Sequence, residues 1–187
     1  MSSSSESEIR FYEKGQAYYE FSNYYTHKTM RLVIGGKLYA SSEHFFQAAK
    51  FDYPGACEAS LKYAEEIRQA NTPNIARELA SQKRKGGYKW RTDLNVQIDA
   101  AIKDGVAIRS DWDAVKLDVM YEVVLKKFRQ NPETLGKLLL STGQAALIEA
   151  SPRDSFWGEG KDGTGSNHLG RILERVRERL RGEGFSP

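Results

Sequence analysis

The chain has 187 residues, of which 40% are hydrophobic and 28% are charged, and this composition suits one compact globular domain. The formal net charge of +3 does not by itself indicate nucleic-acid binding, although it allows a local basic pocket for an anionic small molecule. The single cysteine, Cys57, excludes an internal disulfide and favours a reduced compartment. No apolar run is long enough to span a bilayer, and the start of the chain has no apolar signal core, so we expect a cytoplasmic protein with no membrane partner.

The amino-terminal part of the chain contains the predicted β structure. The serine-rich residues 1–8 are typical of a disordered tail. Residues 9–12 predict a first strand. In residues 31–40, the pair Gly35-Gly36 separates two β-prone runs, which predicts a tight hairpin.

The rest of the chain is predicted to be mostly helical. Ser41 and Ser42 are suited to cap a helix that runs to about residue 51, and Thr72-Pro73 predicts an N-cap with proline in the first turn of a helix that runs to about residue 83. The pattern Ser-x-x-Asp at residues 110–113 resembles a capping box before an amphipathic helix that ends at Asn131-Pro132. The other predicted elements are helices at residues 56–70, 92–105, 133–140 and 168–181 and a short strand at residues 146–149.

These elements together predict a mainly α fold of the α+β class. We expect a compact helical domain over residues 9–182, with a small β-hairpin or sheet element near the amino terminus. Residues 183–187 would form a short tail.

A first candidate site lies in the sequence SSEHFFQAAK. On a helix, Glu43, Gln47 and Lys50 occupy positions i, i+4 and i+7 and share one face. A carboxylate, an amide and an ammonium group in one stripe are suited to hold a sugar hydroxyl and a phosphate. The alternative is a solvated face in which Glu43 only complements the helix dipole.

A second candidate site is the long glycine-rich segment 151–167. Its glycines, among them Gly158 and Gly160, allow the backbone to approach a ligand, and the N–H groups of the following helix are then available to an anion. The alternative is a flexible connector, but the adjacent aromatic residues Phe156 and Trp157 argue against it. Glycine spacings typical of dinucleotide and P-loop sites also occur here, and we reject both because the flanking βαβ and Lys-Ser/Thr signals are missing.

Two further positions are candidates for binding a heterocycle or a ribose. Trp112, at a helix start, is suited to stack on a flat ring, although a core tryptophan is the common alternative. Asn23 follows an aromatic run and is suited to hydrogen-bond a base edge or a ribose, although a turn residue is the alternative there.

The motifs FYEKGQAYYEFSNYY, SSEHFFQAAKF, SDWDAVKLDVM and SPRDSFWGEGKDGTGSNHLG occur in this order along the chain. In this combination they resemble the NADAR/YbiA-like N-glycosidase family, from about Ile9 to Leu180. The resemblance implies a mainly helical fold and hydrolysis of the N-glycosidic bond of a phosphorylated ribose compound. Members of the family cleave ribosylamine-type riboflavin precursors or remove ADP-ribose from guanine bases.

The resemblance also implies roles for particular residues. Glu43, Asp154 and Trp112 match positions in the family's active site: one acid would activate water or orient the ribose, the other would be the second acid/base group, and the two roles are interchangeable at this stage. Trp112 would stack on the heterocycle. The expected substrate-binding residues are Asn23, Gln47, Lys50, Trp157, Gly158, Gly160 and Asn167. None of these roles requires a metal or other cofactor, and residues 83–108 resemble an insertion relative to compact bacterial members.

Two other functions remain open at the level of sequence. A non-catalytic module for ADP-ribose or a nucleotide would keep Trp112 and the glycine-rich segment without needing the acids. The basic, aromatic run at residues 83–91 (KRKGGYKWR) is suited to contact nucleic acid. The nucleic-acid function is compatible with the main prediction if the substrate is an ADP-ribosylated base within a nucleic acid. The expected partner is thus a nucleotide-sugar or a ribosylated base, with an ADP-ribosylated nucleic acid as the alternative.

Overall fold

The computed structural model describes residues 7–81 and 92–187, and within this part of the chain the fold is mainly helical with little β structure. The strands are β1 (Glu8–Phe11), β2 (Val33–Ile34), β3 (Lys37–Leu38) and β4 (Ala146–Glu149). The helices are α1 (Ser42–Ala48), α2 (Glu58–Arg68), α3 (Pro73–Leu79), α4 (Thr92–Lys103), α5 (Trp112–Arg129), α6 (Lys137–Ser141) and α7 (His168–Gly182), with a 3₁₀ turn at Tyr19–Phe21 and a π-helical turn at Pro132–Gly136. The predicted fold class is confirmed.

The two small sheets match the predicted strand positions. β2 and β3 form the antiparallel hairpin around Gly35-Gly36, and both glycines have the positive φ that such a turn requires. β1 pairs with β4 in parallel, with Phe11 opposite Glu149. The first strand therefore lies beside residues more than 130 positions further along the chain, a pairing that local sequence does not indicate.

Two of the three predicted N-terminal caps are present in the structure. The hydroxyl of Ser41 accepts a hydrogen bond from the backbone N–H of His44, and that of Thr72 accepts one from Ile75. The predicted capping box before α5 is wrong: Asp111 is the N-cap residue and makes no side-chain capping bond, because its carboxylate pairs with Arg109 instead.

The core forms where α5 and α7 pack together and against β4. The apolar positions predicted for α5 point inward there, and Met120, Val123 and Val124 are fully buried. α1 packs on α2, α3 and α5. This arrangement places one face of α1 opposite the end of β4.

In the described part of the chain, no helix combines the length and the apolar character needed to cross a membrane. The basic run at residues 83–91 and most of the predicted tail at residues 1–8 lie outside the described residues.

Candidate active site

A cavity of about 300 Å³ opens between α1, α3, α5 and the segment that follows β4. It brings together parts of the chain that are widely separated in sequence. Its lining residues are Asn23, Tyr24, Glu43, Phe46, Gln47, Lys50, Arg77, Trp112, Lys116, Met120, Glu149, Asp154, Phe156 and Trp157. Glu43, Asp154 and Trp112, which sequence analysis placed in one site, therefore share a cavity.

Glu43 and Gln47 lie one turn apart on α1, and both are buried, with 5% of their surface exposed. The Gln47 side-chain amide donates a hydrogen bond of 2.7 Å to Oε1 of Glu43. Burial raises the pKa of Glu43, whereas the bond from Gln47 and the charges of Lys50 and Arg77 act in the opposite direction. The alternative of a solvated face is wrong. Glu43 is a desolvated carboxyl with cations beside it.

Several buried acceptor atoms of the cavity lining have no hydrogen-bond partner in the described structure. They are Oδ1 of Asn23, Oε1 of Gln47 and Oε2 of Glu149. A buried acceptor without a donor costs about 1–3 kcal/mol, so such groups are rare unless function requires them. The two amide oxygens fit a ligand that carries N–H or O–H donors, whereas the Glu149 carboxyl can accept from a ligand or, when protonated, donate to one.

Asp154 is fixed by the local backbone after β4. Its Oδ1 accepts hydrogen bonds from the backbone N–H groups of Phe156, at 2.9 Å, and Trp157, at 2.8 Å. These bonds orient the carboxyl and hold the two aromatic residues at the cavity. The sequence DSFW therefore forms a compact turn in which one acid organises its neighbours.

Glu149 is a third carboxyl group in the cavity, and sequence analysis did not select it. It is the last residue of β4. Burial is the main cause that raises its pKa to about 8, and the charges of Asp154 and Glu43 add to the increase. Glu149 is therefore mostly protonated at neutral pH.

Aromatic rings form one wall of the cavity. The ring of Phe46 lies 4.9 Å from that of Trp112 and 5.3 Å from that of Trp157, in tilted and edge-on arrangements. Trp112 is partly buried, and it packs against the core and also lines the cavity. Both indoles can present a face or an edge to a planar ligand.

Cationic side chains complete the lining. Lys50 lies just beyond the end of α1, with its Nζ 5.6 Å from the centre of the Trp112 ring. Burial lowers the pKa of Lys50 to about 8, although the charge of Glu43 opposes this effect. Arg77 from α3 and Lys116 from α5 also line the cavity. The site thus offers positive charge close to its carboxyl groups.

A second cavity of about 510 Å³ adjoins the first. The two share Tyr24, Arg77, Glu149 and Asp154 in their linings. The remaining side chains of the second cavity include two more cations as well as aromatic and polar groups: Tyr12, Glu13, Lys14, Tyr19, Ser22, Asn74, Ser151 and Arg153. The candidate site is therefore one elongated cleft with Glu149 and Asp154 at its middle.

The glycine-rich segment is tied to the fold by backbone hydrogen bonds, among them those that Glu159, Gly165 and Asn167 donate to backbone carbonyls. A β-carbon on Gly158 would lie 2.6 Å from the carbonyl oxygen of Glu149, so this glycine allows the protein's own backbone to approach. Neither Gly158 nor Gly160 is among the residues that line the two cavities. The first two N–H groups of α7, from His168 and Leu169, are donated to carbonyls of residues 156 and 157 rather than left available to an anion.

Asn167 also lies outside the lining of both cavities. Its side chain donates to the carbonyl of Leu147 at 2.8 Å and accepts from the backbone N–H of Glu149 at 3.0 Å. Asn167 therefore attaches the start of α7 to β4. By contrast, Asn23, Gln47, Lys50 and Trp157 line the smaller cavity together with the predicted acids.

Seven lining residues were not among the predicted site residues: Tyr24, Phe46, Arg77, Lys116, Met120, Glu149 and Phe156. Some signals for them existed. Lys116 and Met120 follow Trp112 at helical spacing, and the acid Glu149 ends an otherwise apolar strand. Arg77 had no such signal, because a basic residue in a short amphipathic helix is ordinary.

Comparison with known proteins agrees with this geometry. The NADAR domain family model matches residues 10–181. N-glycosidase YbiA of Escherichia coli is 33% identical over 172 residues, which are 92% of this chain and 88% of that protein. An N-glycosidase of Nostoc punctiforme is 37% identical over 92% of each chain. The chloroplastic riboflavin biosynthesis protein PYRR of Zea mays is 33% identical over 93% of this chain but only 25% of its own length.

The fold has a solved counterpart. The NMR structure of E. coli YbiA superposes with a TM-score of 0.72 and 32% identity, covering 96% of this chain and 88% of that one. The fold is thus that of the N-glycosidase class, hydrolases that act on N-glycosyl compounds. The chain belongs to the NADAR domain family.

Proposed function

We propose that the protein hydrolyses the C1′–N bond of a phosphorylated ribose compound in the cleft described above. The observation that carries the proposal is the convergence of Glu43, Glu149 and Asp154 on one cavity that also contains stacking rings and cations. Breaking this bond builds positive charge on the sugar and negative charge on the leaving base. Carboxyl groups on both sides of the bond and a supplied water molecule serve both needs.

In this proposal, Glu43 is the carboxylate that faces the anomeric carbon. Its neighbours Lys50 and Arg77 favour the ionised form, in which it can orient a ribose hydroxyl or accept a proton from the attacking water. The free acceptor atoms of Asn23 and Gln47 are suited to ribose hydroxyls or to base N–H groups. Trp112 and Trp157 hold the planar base by stacking or edge contacts.

The size of the cleft favours the larger of two substrate classes. A ribosylaminopyrimidine phosphate, an intermediate of riboflavin synthesis, needs only the smaller cavity. ADP-ribose attached to guanine also needs room for a diphosphate and an adenosine, and the adjoining cavity supplies space together with Lys14, Arg77 and Arg153. We therefore propose removal of ADP-ribose from guanine, in a nucleotide or an ADP-ribosylated nucleic acid, as the leading activity.

The test is a direct comparison of the two substrates. The purified protein is incubated separately with ADP-ribosyl-guanosine and with 5-amino-6-ribosylaminouracil 5′-phosphate, and the released free base is separated by chromatography. We expect faster release from ADP-ribosyl-guanosine. Release only from the pyrimidine compound would overturn the substrate choice, and release from neither would overturn the hydrolase proposal.

A non-catalytic ADP-ribose module is the second candidate, and the same experiment addresses it. Such a module gains nothing from a desolvated carboxyl like Glu43, which costs free energy to bury. Binding of ADP-ribose in calorimetry without any release of base would favour the module over the enzyme.

A further inference from the structure

The main chain of Glu149 is held by hydrogen bonds to other segments of the protein. β4, which it ends, is paired with β1, and its backbone N–H and C=O are bonded to the Asn167 side chain and to the N–H of Glu159, each at 3.0 Å. The main chain at Glu149 is therefore fixed on both sides. A group that must act at one atom of a substrate benefits from such a fixed position.

The carboxyl of Glu149 lies where the two cavities meet and contributes to the lining of both. Its Oε2 is buried and has no hydrogen-bond partner in the described structure. A neutral carboxylic acid in this position has an O–H free to point into the cleft. A ligand that spans both cavities would pass this group.

The surroundings of Glu149 differ from those of Glu43 in a way that separates their chemistry. Burial raises the pKa of Glu43 as well, but the hydrogen bond from Gln47 and the charges of Lys50 and Arg77 oppose this effect and favour the carboxylate. The pKa of Glu149 is affected mainly by burial and then by two other carboxyl groups, which all favour the acid form. Glu149 lines both cavities, and the titratable and charged side chains around it come from both. Those of the smaller cavity are Tyr24, Glu43, Lys50, Arg77, Lys116 and Asp154, and the larger cavity adds Tyr12, Glu13, Lys14, Tyr19 and Arg153.

We propose that Glu149 is a third catalytic carboxyl group, which donates a proton to the leaving nitrogen as the C1′–N bond breaks. The inference rests on the hydrolase function proposed above. The C1′–N electron pair moves to the base nitrogen, which takes the proton of Glu149, while water forms the new bond to C1′ and gives a proton to Glu43. Solvent then moves a proton from Glu43 back to Glu149, so each cycle consumes one water and regenerates both acids. This division resembles other sites in which environment separates two carboxyl groups into an acid and a base.

The variant Glu149→Gln tests the inference, because it keeps the shape and removes the proton. We expect kcat to fall at least ~100-fold, as is usual for a lost general acid, with KM changed less than about threefold. The wild-type kcat/KM should decline as pH rises through about 8, where Glu149 loses its proton, and this alkaline decline should vanish in the variant. A kcat within tenfold of wild type, or an unchanged alkaline decline, would overturn the inference.

Two more variants make the result specific. Glu149→Asp keeps a protonatable group and should retain an alkaline decline with reduced kcat, and it also covers the case in which the glutamine variant fails to fold. Lys50 also has a pKa near 8, but Lys50→Arg stays charged across this range, so the decline should persist there if Glu149 causes it. Loss of the decline in Lys50→Arg would assign it to Lys50 and contradict the proposal. If the wild-type protein releases no base at all, the proposed function fails rather than this assignment.

Discussion

Helices α1 and α7 both pack against the core, but they use their buried positions differently. α7 buries mainly aliphatic residues, and its buried Arg177 donates to Oγ1 of Thr142 at 2.8 Å and to the carbonyl of Ala145 at 2.9 Å. The Nε of Arg177 has no hydrogen-bond partner among the described residues, but it lies 3.7 Å from the Glu178 carboxylate, and Arg177 lines neither cavity of the cleft. α1 buries Glu43 and Gln47, and Gln47 retains an acceptor without a partner. Buried polar groups that bond to the protein stabilise the fold, whereas those left facing a cavity cost stability and indicate a binding site.

The largest effect on turnover is expected for Glu43→Gln, and this variant tests whether α1 contributes the catalytic groups. If Glu43 on α1 takes part in catalysis, turnover should fall at least ~100-fold. Glutamine keeps the shape of the side chain but removes the carboxylate that orients ribose or accepts a proton. The measurement is kcat for base release, with the melting temperature confirming the fold. Glu133→Gln, an exposed acid that pairs with Lys137 away from the cleft, is the matched control. Near-normal turnover of the Glu43 variant would remove Glu43 from the chemistry.

The next effect is expected on α7 and concerns stability. Arg177→Met removes two bonds from a buried cation and should lower the free energy of unfolding by about 2–3 kcal/mol, the range for hydrogen bonds to charged groups. The kcat of the folded variant should remain close to wild type. Urea unfolding and turnover, compared with the exposed-position variant Arg171→Met, measure both quantities. If kcat fell as steeply as stability, the distinction between the two helices would be lost.

The smallest effect is expected on KM and tests whether the aromatic wall of the cavity holds the base. Trp112→Phe keeps a ring beside Phe46 but reduces the stacking area. Base stacking contributes about 1–3 kcal/mol per base, and partial loss should raise KM roughly threefold to tenfold with little change in kcat. Initial-rate kinetics on the preferred substrate measure this split. An unchanged KM would show that the Trp112 ring does not hold the base.

Much of the local structure could be predicted from the sequence. The hairpin at Gly35-Gly36, the caps at Ser41 and Thr72, and the short strand at residues 146–149 all depend on residues near one another in the chain. The capping box predicted from Ser110 and Asp113 could not be excluded in advance, because Lys116 competes for the carboxylate of Asp113 and the N-cap position falls on Asp111. Such competition depends on side-chain positions that a pattern does not contain.

Residues of the candidate site could be predicted only where they belong to a recognisable motif. Glu43, Trp112 and Asp154 were selected from their motifs, and they line one cavity. Glu149 and Arg77 were missed because their importance comes from α3 and β4 meeting across the cleft. Gly158 was assigned to ligand binding from the glycine-rich segment and Asn167 from the family motif, yet their contacts are with the protein's own backbone.

The pairing of β1 with β4 has a practical consequence for anyone preparing this protein. The strand that supports Glu149 rests on the first residues after the serine-rich start, and Arg10 adds an ion pair to Glu159. Trimming the chain to begin after Phe11, or fusing a bulky tag directly to that strand, would remove or crowd one edge of the strand that carries Glu149. A loss of activity after such trimming would then result from a distorted catalytic centre, even though every residue that lines the cleft is still present.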